Sequence, residues 1–109
     1  MGLSAIGPVM QFAFVPKDFD AALRHWTETM GVGPFFLLEN NLLGEGIYLG
    51  EPYHCVFTIA IAYWGDVQIE LVRQENDSPS IYQGVAGEAL HHTCILTRDI
   101  PGARKIAED

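Results

Sequence analysis

The sequence predicts an α+β fold in which one curved mixed sheet carries a helix on its convex face. The main observation is an internal repeat: residues 11–28 return at residues 92–109 with an offset of 81 and no gap. Each copy runs from a short apolar strand through a basic residue and an Asp to an amphipathic helix. The second observation is a pair of long strand-like segments joined by residues 65–66, which is typical of a hairpin.

Hydrophobic spacing predicts the first strand and the first helix. Residues 10–15 form an apolar run whose only strongly polar member is Gln11, which indicates a strand. Asp18 is placed to cap the helix that follows, and Gly31 ends it before a turn at residues 33–34. The helix has one apolar stripe, formed by Phe19, Ala22, Leu23, Trp26 and Met30.

The remaining elements complete the order strand, helix, strand, strand, strand, then strand and helix again. Residues 35–38 are predicted as a strand, and residues 40–55, with three glycines and a proline, as a long loop. The hairpin strands cover Val56–Trp64 and Val67–Gln74.

A second loop and the second copy of the repeat follow the hairpin. Residues 75–88 are polar and are predicted as a loop, and residues 90–97 as the fifth strand. Asp99 caps the second helix, in which Pro101 is tolerated because it lies in the first turn.

We therefore expect one domain over residues 1–109. Residues 1–75 would be a complete βαβββ module, residues 76–89 a loop, and residues 90–109 the start of a second module. A partial module leaves an open sheet edge, so we expect a homodimer that completes the cleft between two chains. The alternative is that the sequence is part of a longer protein, since its last helix carries no stop signal.

Composition excludes several classes of function. The net charge is −8 with only six Lys and Arg residues, which argues against binding nucleic acid or an anionic membrane surface. No apolar run approaches the roughly 18 residues that span a bilayer, and the first residues do not read as a signal peptide. The two cysteines fit no metal or redox motif, which favours reduced thiols and a cytoplasmic protein.

Strand alternation brings three candidate metal ligands to the concave face. In Val67–Gln74 the apolar side would contact the helix, so Glu70 points into the concavity. Gln11 and His92 are equivalent in the repeat and should enter the cleft from its two halves. A mixed set of nitrogen and oxygen ligands suits Zn, Ni, Co, Mn or Fe(II) better than Cu(I).

Each of these residues also has a purely structural interpretation. A half-exposed strand explains Glu70, a hydrogen bond to a neighbouring strand explains Gln11, and a strand-entry pair with His91 explains His92. No GxSxG elbow and no phosphate-binding GxxxxGK[ST] loop occurs, so serine hydrolase and nucleotide-binding chemistry are not supported.

The chain resembles the vicinal oxygen chelate superfamily. The resemblance rests on the repeat, the segment QFAFVPKDFDAALRHW, the strand VQIEL and the block GEALHHTCI. The superfamily's glyoxalase I and methylmalonyl-CoA epimerase-like branch is the most similar. The resemblance implies metal ligands at Gln11, Glu70 and His92, with His91 the less favoured choice for the last position. The family's fourth ligand, usually a Glu near the end of the second module, has no counterpart here, and Gln11 argues against the extradiol dioxygenase branch, which carries a His there.

The resemblance implies a metal-dependent lyase or isomerase of the glyoxalase or epimerase type. A divalent ion (Zn, Ni, Co, Mn, Mg or Fe) would stabilise the enediolate or enolate of a small carbonyl or thioester substrate, and Glu70 would serve first as ligand and then as base. The alternative from another class is a metal-free dimeric drug-binding protein of the bleomycin-resistance type, which an acidic chain with loop aromatics would also suit. A unit that only mediates association is the third possibility.

Overall fold

A mixed sheet of five strands dominates the computed structural model, which describes residues 2–42, 46–87 and 90–109. Its order is β2-β5-β6-β1-β7, and β3 and β4 form a separate small hairpin. The strands are β1 (Val9–Phe14), β2 (Phe36–Leu42), β3 (Gly46–Tyr48), β4 (Glu51–Tyr53), β5 (Val56–Trp64), β6 (Val67–Gln74) and β7 (His92–Ile95). The predicted α+β class is confirmed.

The two main helices begin where the sequence places their caps. Helix α1 covers Phe19–Arg24 and continues as a π-helical turn over His25–Thr29, while α2 covers Ile100–Glu108. The carboxylate of Asp18 accepts a hydrogen bond from the amide of Ala21 at 2.9 Å, and that of Asp99 accepts one from Gly102 at 3.0 Å. Gly31 ends the first helix in the left-handed region at φ 68°.

The convex face of the sheet packs against α1 and its π-helical turn. Ile69 and Leu71 of β6 are each 1% exposed, and both lie in clusters that include Trp26 or Phe19. Across the hairpin, Ala60 of β5 is fully buried in the same layer. Alternation along β6 therefore sends its odd-numbered residues to the helix and its even-numbered residues to the concave face, as the pattern predicts.

Two predictions about the segment before the hairpin were wrong in extent. Strand β2 continues to Leu42 instead of ending at residue 38, and the predicted loop 40–55 contains the β3–β4 hairpin. The β3–β4 hairpin forms around a turn at Leu49 and Gly50, where both φ angles are positive (51° and 82°), as a tight hairpin turn requires. Residues 43–45 of this predicted loop lie outside the described residues.

The strand of the second copy is shorter than predicted, covering His92–Ile95 instead of residues 90–97. The amide of Leu96 still donates to the carbonyl of Pro8 at 3.0 Å, so the chain stays beside β1 after the strand ends. Residues 88–89, at the end of the second predicted loop, are not described. Within the described ranges, no helix is long and apolar enough to cross a bilayer.

The first strands of the two repeat copies, β1 and β7, pair with each other. These strands are antiparallel, and Phe12 pairs directly with Thr93, its equivalent at the offset of 81. A local two-fold axis therefore passes through this pair, with Ala13 opposite His92 and Gln11 opposite Cys94. The division into a complete and a partial module remains a prediction.

Candidate functional site

Strand register brings the predicted site residues to one concave face. β1 runs parallel to β6 with Gln11 opposite Gln68 and Ala13 opposite Glu70, while His92 of β7 lies on the other side of Ala13. Residues opposite each other in neighbouring strands share a face. The buried, small side chain of Ala13 therefore leaves a shallow space between the Glu70 and His92 side chains.

A row of polar side chains crosses this face from β5 to β7. The Gln68 side-chain amide donates to the Tyr63 hydroxyl at 3.1 Å, and Gln11 Nε2 donates to Gln68 Oε1 at 2.5 Å. Gln11 Nε2 also lies 3.3 Å from Glu70 Oε2. The other carboxylate oxygen, Oε1, lies 3.7 Å from His92 Nε2, which is beyond hydrogen-bond distance. The three predicted residues Gln11, Glu70 and His92 are thus adjacent.

The imidazole of His92 has a second partner on its other nitrogen. His92 Nδ1 lies 2.8 Å from His91 Nδ1, and His91 Nε2 lies 2.9 Å from the carbonyl oxygen of Ile81. The His91 ring also packs on Tyr82, with ring centroids 5.3 Å apart. The polar row therefore continues beyond the sheet and ends on the loop that follows β6.

Burial perturbs the two ionisable groups at the centre of the row. The Glu70 side chain is 13% exposed, and its desolvation raises the pKa of the carboxyl group, although the hydrogen bond from Gln11 and the nearby His91 act in the opposite direction. Desolvation, followed by the charge of His91, lowers the pKa of His92. Both effects favour the neutral forms, as expected of a partly dehydrated pair without a compensating ion pair.

Tyr82 borders the site on the loop side. It packs on Phe57 of β5, with ring centroids 6.0 Å apart, and joins Tyr53 around the buried cluster that contains Val15. Burial, and then the negative charge of Glu70, raises the pKa of its phenol. Through its contacts with Phe57 and His91, Tyr82 borders one end of the concave face.

A family model described as Glyoxalase/Bleomycin resistance protein/Dioxygenase superfamily matches residues 10–109. The chain belongs to this superfamily. No curated protein matches the chain. The superfamily match agrees with the resemblance drawn from the repeat, and it spans both β1 and β7, the two strands whose equivalent positions carry Gln11 and His92.

The superfamily's members often use a metal ion, which needs several donor side chains close together. Among the described residues, no group of three or more His, Cys, Asp or Glu side chains is arranged to hold a metal. Glu70 and His92 supply two such donors, and a third can come only from a different side-chain type, the Gln11 amide. As oriented, this amide presents Nε2 to Glu70, and a half-turn of the amide brings Oε1 there instead.

The donor set nevertheless fits a divalent ion. Two ligands of a tetrahedral zinc ion with bonds of about 2.1 Å lie about 3.4 Å apart. The Glu70 and His92 donor atoms are 3.7 Å apart, which is close to that separation. A carboxylate, an imidazole and an amide form the mixed nitrogen and oxygen set that suits Zn, Ni, Co, Mn or Fe(II).

Sequence reasoning missed three members of the polar row. Gln68 lies two residues before Glu70 and so shares its face, which strand alternation alone indicates. Tyr63 follows from the hairpin turn at residues 65–66, which fixes it opposite Gln68. The role of His91 depends on the carbonyl of Ile81, and no local pattern in the sequence indicates that contact.

The two cysteines lie in different environments. Both are unpaired, with Cys55 buried in the cluster around Val15 and Cys94 exposed. Cys94 lies opposite Gln11 across the β1–β7 ladder, beside the candidate site but outside the chain of hydrogen bonds that forms the polar row.

Proposed function

We propose that this superfamily member is a divalent-metal-dependent lyase or isomerase of the glyoxalase or epimerase type, with Gln11, Glu70 and His92 as metal ligands. One observation carries the proposal. The two oxygens of the Glu70 carboxylate face different partners, Gln11 Nε2 at 3.3 Å and His92 Nε2 at 3.7 Å, on an open concave face. Such a carboxylate can act both as a ligand and as a base.

When bound there, a divalent ion would supply positive charge that stabilises the enediolate or enolate oxygen of a small carbonyl or thioester substrate. Glu70 would take the carbon-bound proton and return it to the neighbouring carbon or to the opposite face. Partial burial supports this role, because a carboxylate with a raised pKa is a stronger base than an ordinary one. Gln11 would bind the ion through Oε1 after the half-turn of its amide, which releases the Glu70 oxygen that Nε2 contacts in the metal-free arrangement.

Oligomeric assembly, small-molecule binding and a cytoplasmic location belong to the same proposal. The outer edge of β7 faces away from β1, and no strand in the described part of the chain pairs with it. A second copy would cover such an edge and enclose the concave face. The net charge of −8 supports a small-molecule partner over nucleic acid.

A metal-free small-molecule binder is the second candidate, and one contact favours it. With its Nε2 toward Glu70, the Gln11 amide offers the cleft a donor instead of a metal-binding oxygen. Tyr63, 58% exposed at the end of the polar row, could stack on an aromatic ligand, and the acidic chain suits a cationic one.

The first test is the metal content of the purified protein by inductively coupled plasma mass spectrometry. We expect close to one divalent ion per site, lost in both Glu70→Ala and His92→Ala. The matched controls are Glu39→Ala and His25→Ala, which remove an exposed residue of each type outside the site and should keep the metal.

A loaded protein would then be screened against 2-oxo hemithioacetals and acyl-CoA epimers. Metal absent from protein prepared with excess Zn²⁺ and Ni²⁺ would contradict the proposal and favour the small-molecule binder. In that case, binding of a cationic aromatic compound that resists chelator becomes the next measurement.

A further inference from the structure

We infer that His91 is a positioning residue that fixes the tautomer and ring orientation of His92, so that His92 Nε2 presents its lone pair to the space beside Glu70. This inference rests on the proposed metal site. The role of His91 would then be to orient a ligand, and not to be one.

The argument starts at the loop end of the polar row. The carbonyl oxygen of Ile81 can only accept a hydrogen bond, so His91 Nε2, at 2.9 Å, must carry a proton. In a neutral imidazole the other nitrogen then has a lone pair, and His91 Nδ1 is an acceptor. Its neighbour at 2.8 Å, His92 Nδ1, must therefore be the donor.

The same reasoning leaves one nitrogen unassigned. With its proton on Nδ1, a neutral His92 has a lone pair on Nε2, and this atom lies 3.7 Å from Glu70 Oε1. The Ile81 carbonyl thus sets the proton position on His91, and His91 in turn sets the proton position on His92. The chain of hydrogen bonds ends at His92 Nε2, whose lone pair is free to bind a cation. Histidine ligands of metal ions generally have such a hydrogen-bond partner on the opposite nitrogen.

His91 is held firmly enough to serve this purpose. Its backbone amide donates to the carbonyl of Ala13 at 2.8 Å, which ties it to β1. Its ring packs on Tyr82 and meets the ring of His92 edge-on, with centroids 5.1 Å apart and planes at 77°. The β1 contact thus holds the His91 backbone, while the loop contacts with Tyr82 and Ile81 restrict its ring, and through it the ring of His92.

Two variants of His91 separate the relay from simple packing. His91→Asn keeps an acceptor oxygen close to the position of Nδ1, whereas His91→Phe keeps a ring against Tyr82 and removes both nitrogens. His25→Asn and His25→Phe make the same changes at an exposed histidine outside the site and serve as matched controls.

The first readout is the tautomer of each histidine in the metal-free protein, from two-bond ¹H–¹⁵N correlation spectra at about pH 8, where an imidazole is ordinarily neutral. We expect His91 as the Nε2–H form and His92 as the Nδ1–H form. His91→Phe should shift His92 toward the Nε2–H form, and His91→Asn should restore the Nδ1–H form. His92 found as the Nε2–H form in the wild-type protein would overturn the inference.

The second readout is Zn²⁺ affinity by titration calorimetry. Loss of an outer partner of a ligating histidine typically costs about 10- to 100-fold in affinity, which we expect for His91→Phe, with most of it recovered in His91→Asn. Unchanged affinity in a folded His91→Phe variant overturns the inference while the metal site stands. The expected tautomers in a wild-type protein that binds no Zn²⁺ would instead support the relay and contradict the proposed function.

Discussion

The strands β1 and β7 carry equivalent residues of the repeat, yet their candidate ligands are supported in different ways. Gln11 lies on a strand with neighbours on both sides, and its amide is held by Gln68 and Glu70 of the adjoining β6. His92 lies on a strand that pairs only with β1 in the described part of the chain, and its ring is held by His91 and a loop carbonyl. Repeated sequence therefore fixes where a side chain points, while its surroundings decide what holds it there.

Replacing Glu70, whose carboxylate faces both Gln11 and His92, should have the largest effect on activity. Glu70→Gln keeps the size and the acceptor oxygen for Gln11 but removes the base, so we expect kcat to fall by about 10²- to 10⁴-fold for the substrate found by screening. Steady-state kinetics and circular dichroism would measure activity and folding together. Unchanged turnover would end the proposed mechanism.

The contributions of the two candidate ligands to metal binding can be compared by removing each side chain in turn. We expect His92→Ala to weaken Zn²⁺ binding by more than the about 10- to 100-fold lost with an outer partner, and Gln11→Ala to weaken it less, since a neutral amide oxygen is a poorer ligand than an imidazole. Titration calorimetry on both variants gives the two losses. Equal losses would mean that the two halves contribute alike, against the asymmetry described here.

The support of Gln11 can be tested by changing Gln68, which it contacts at 2.5 Å. Gln68→Leu should lower Zn²⁺ affinity by up to about 10-fold in the wild-type background and hardly at all when Gln11 is already Ala, because the effect passes through Gln11. A double-mutant cycle measures this coupling. Additive losses would show that Gln68 acts independently of Gln11.

The helix caps extend the comparison to stability. We expect Asp18→Ala to cost about 1 kcal/mol of unfolding free energy, because α1 packs on the core through Phe19. Asp99→Ala should cost clearly less, because α2 buries none of its residues and can fray without exposing the core. Urea unfolding of the two variants compares them, and a larger cost at Asp99 would be contrary to this expectation.

The smallest effect concerns the raised pKa of Glu70. A carboxyl group whose pKa is higher in the folded than in the unfolded protein begins to destabilise the fold as pH rises through the unfolded value, and does so fully above the folded value. In the presence of chelator, Glu70→Gln should therefore raise Tm by a few degrees at neutral pH. The gain should disappear as pH falls below the ordinary Glu pKa of 4.5. Thermal melts across this pH range measure the difference, and a gain that persists at low pH would need another cause.

Much of the fold follows from local spacing. The hairpin strands Val56–Trp64 and Val67–Gln74 have the predicted bounds, because a nine-residue, mostly apolar run and an eight-residue segment of alternating polarity around a short turn allow few other structures. The β3–β4 hairpin was missed because its turn uses Leu49 at a positive φ, where Asn or Gly would have signalled it.

In the candidate site, too, some features follow from local sequence patterns and others depend on tertiary contacts. Alternation and the repeat were sufficient to bring Gln11, Glu70 and His92 to one face, because a strand period of two is fixed by backbone geometry. The contacts that orient these side chains depend on strand order and on the loop after β6. The pairing of Gln11 with Gln68 needs the parallel β1–β6 register, and that of His91 with Ile81 needs a loop conformation that no local pattern specifies.

The parallel pairing of β1 with β6 also has a kinetic consequence. Gln11 contacts Gln68 and Glu70 at sequence separations of 57 and 59 residues, so these contacts form only after a long loop has closed. A partly folded chain, with its hairpin formed and β1 still detached, would have Glu70 without Gln11 or His92 beside it. Capture of a cation would then require the completed sheet, and a bound ion would stabilise the native state selectively over every intermediate.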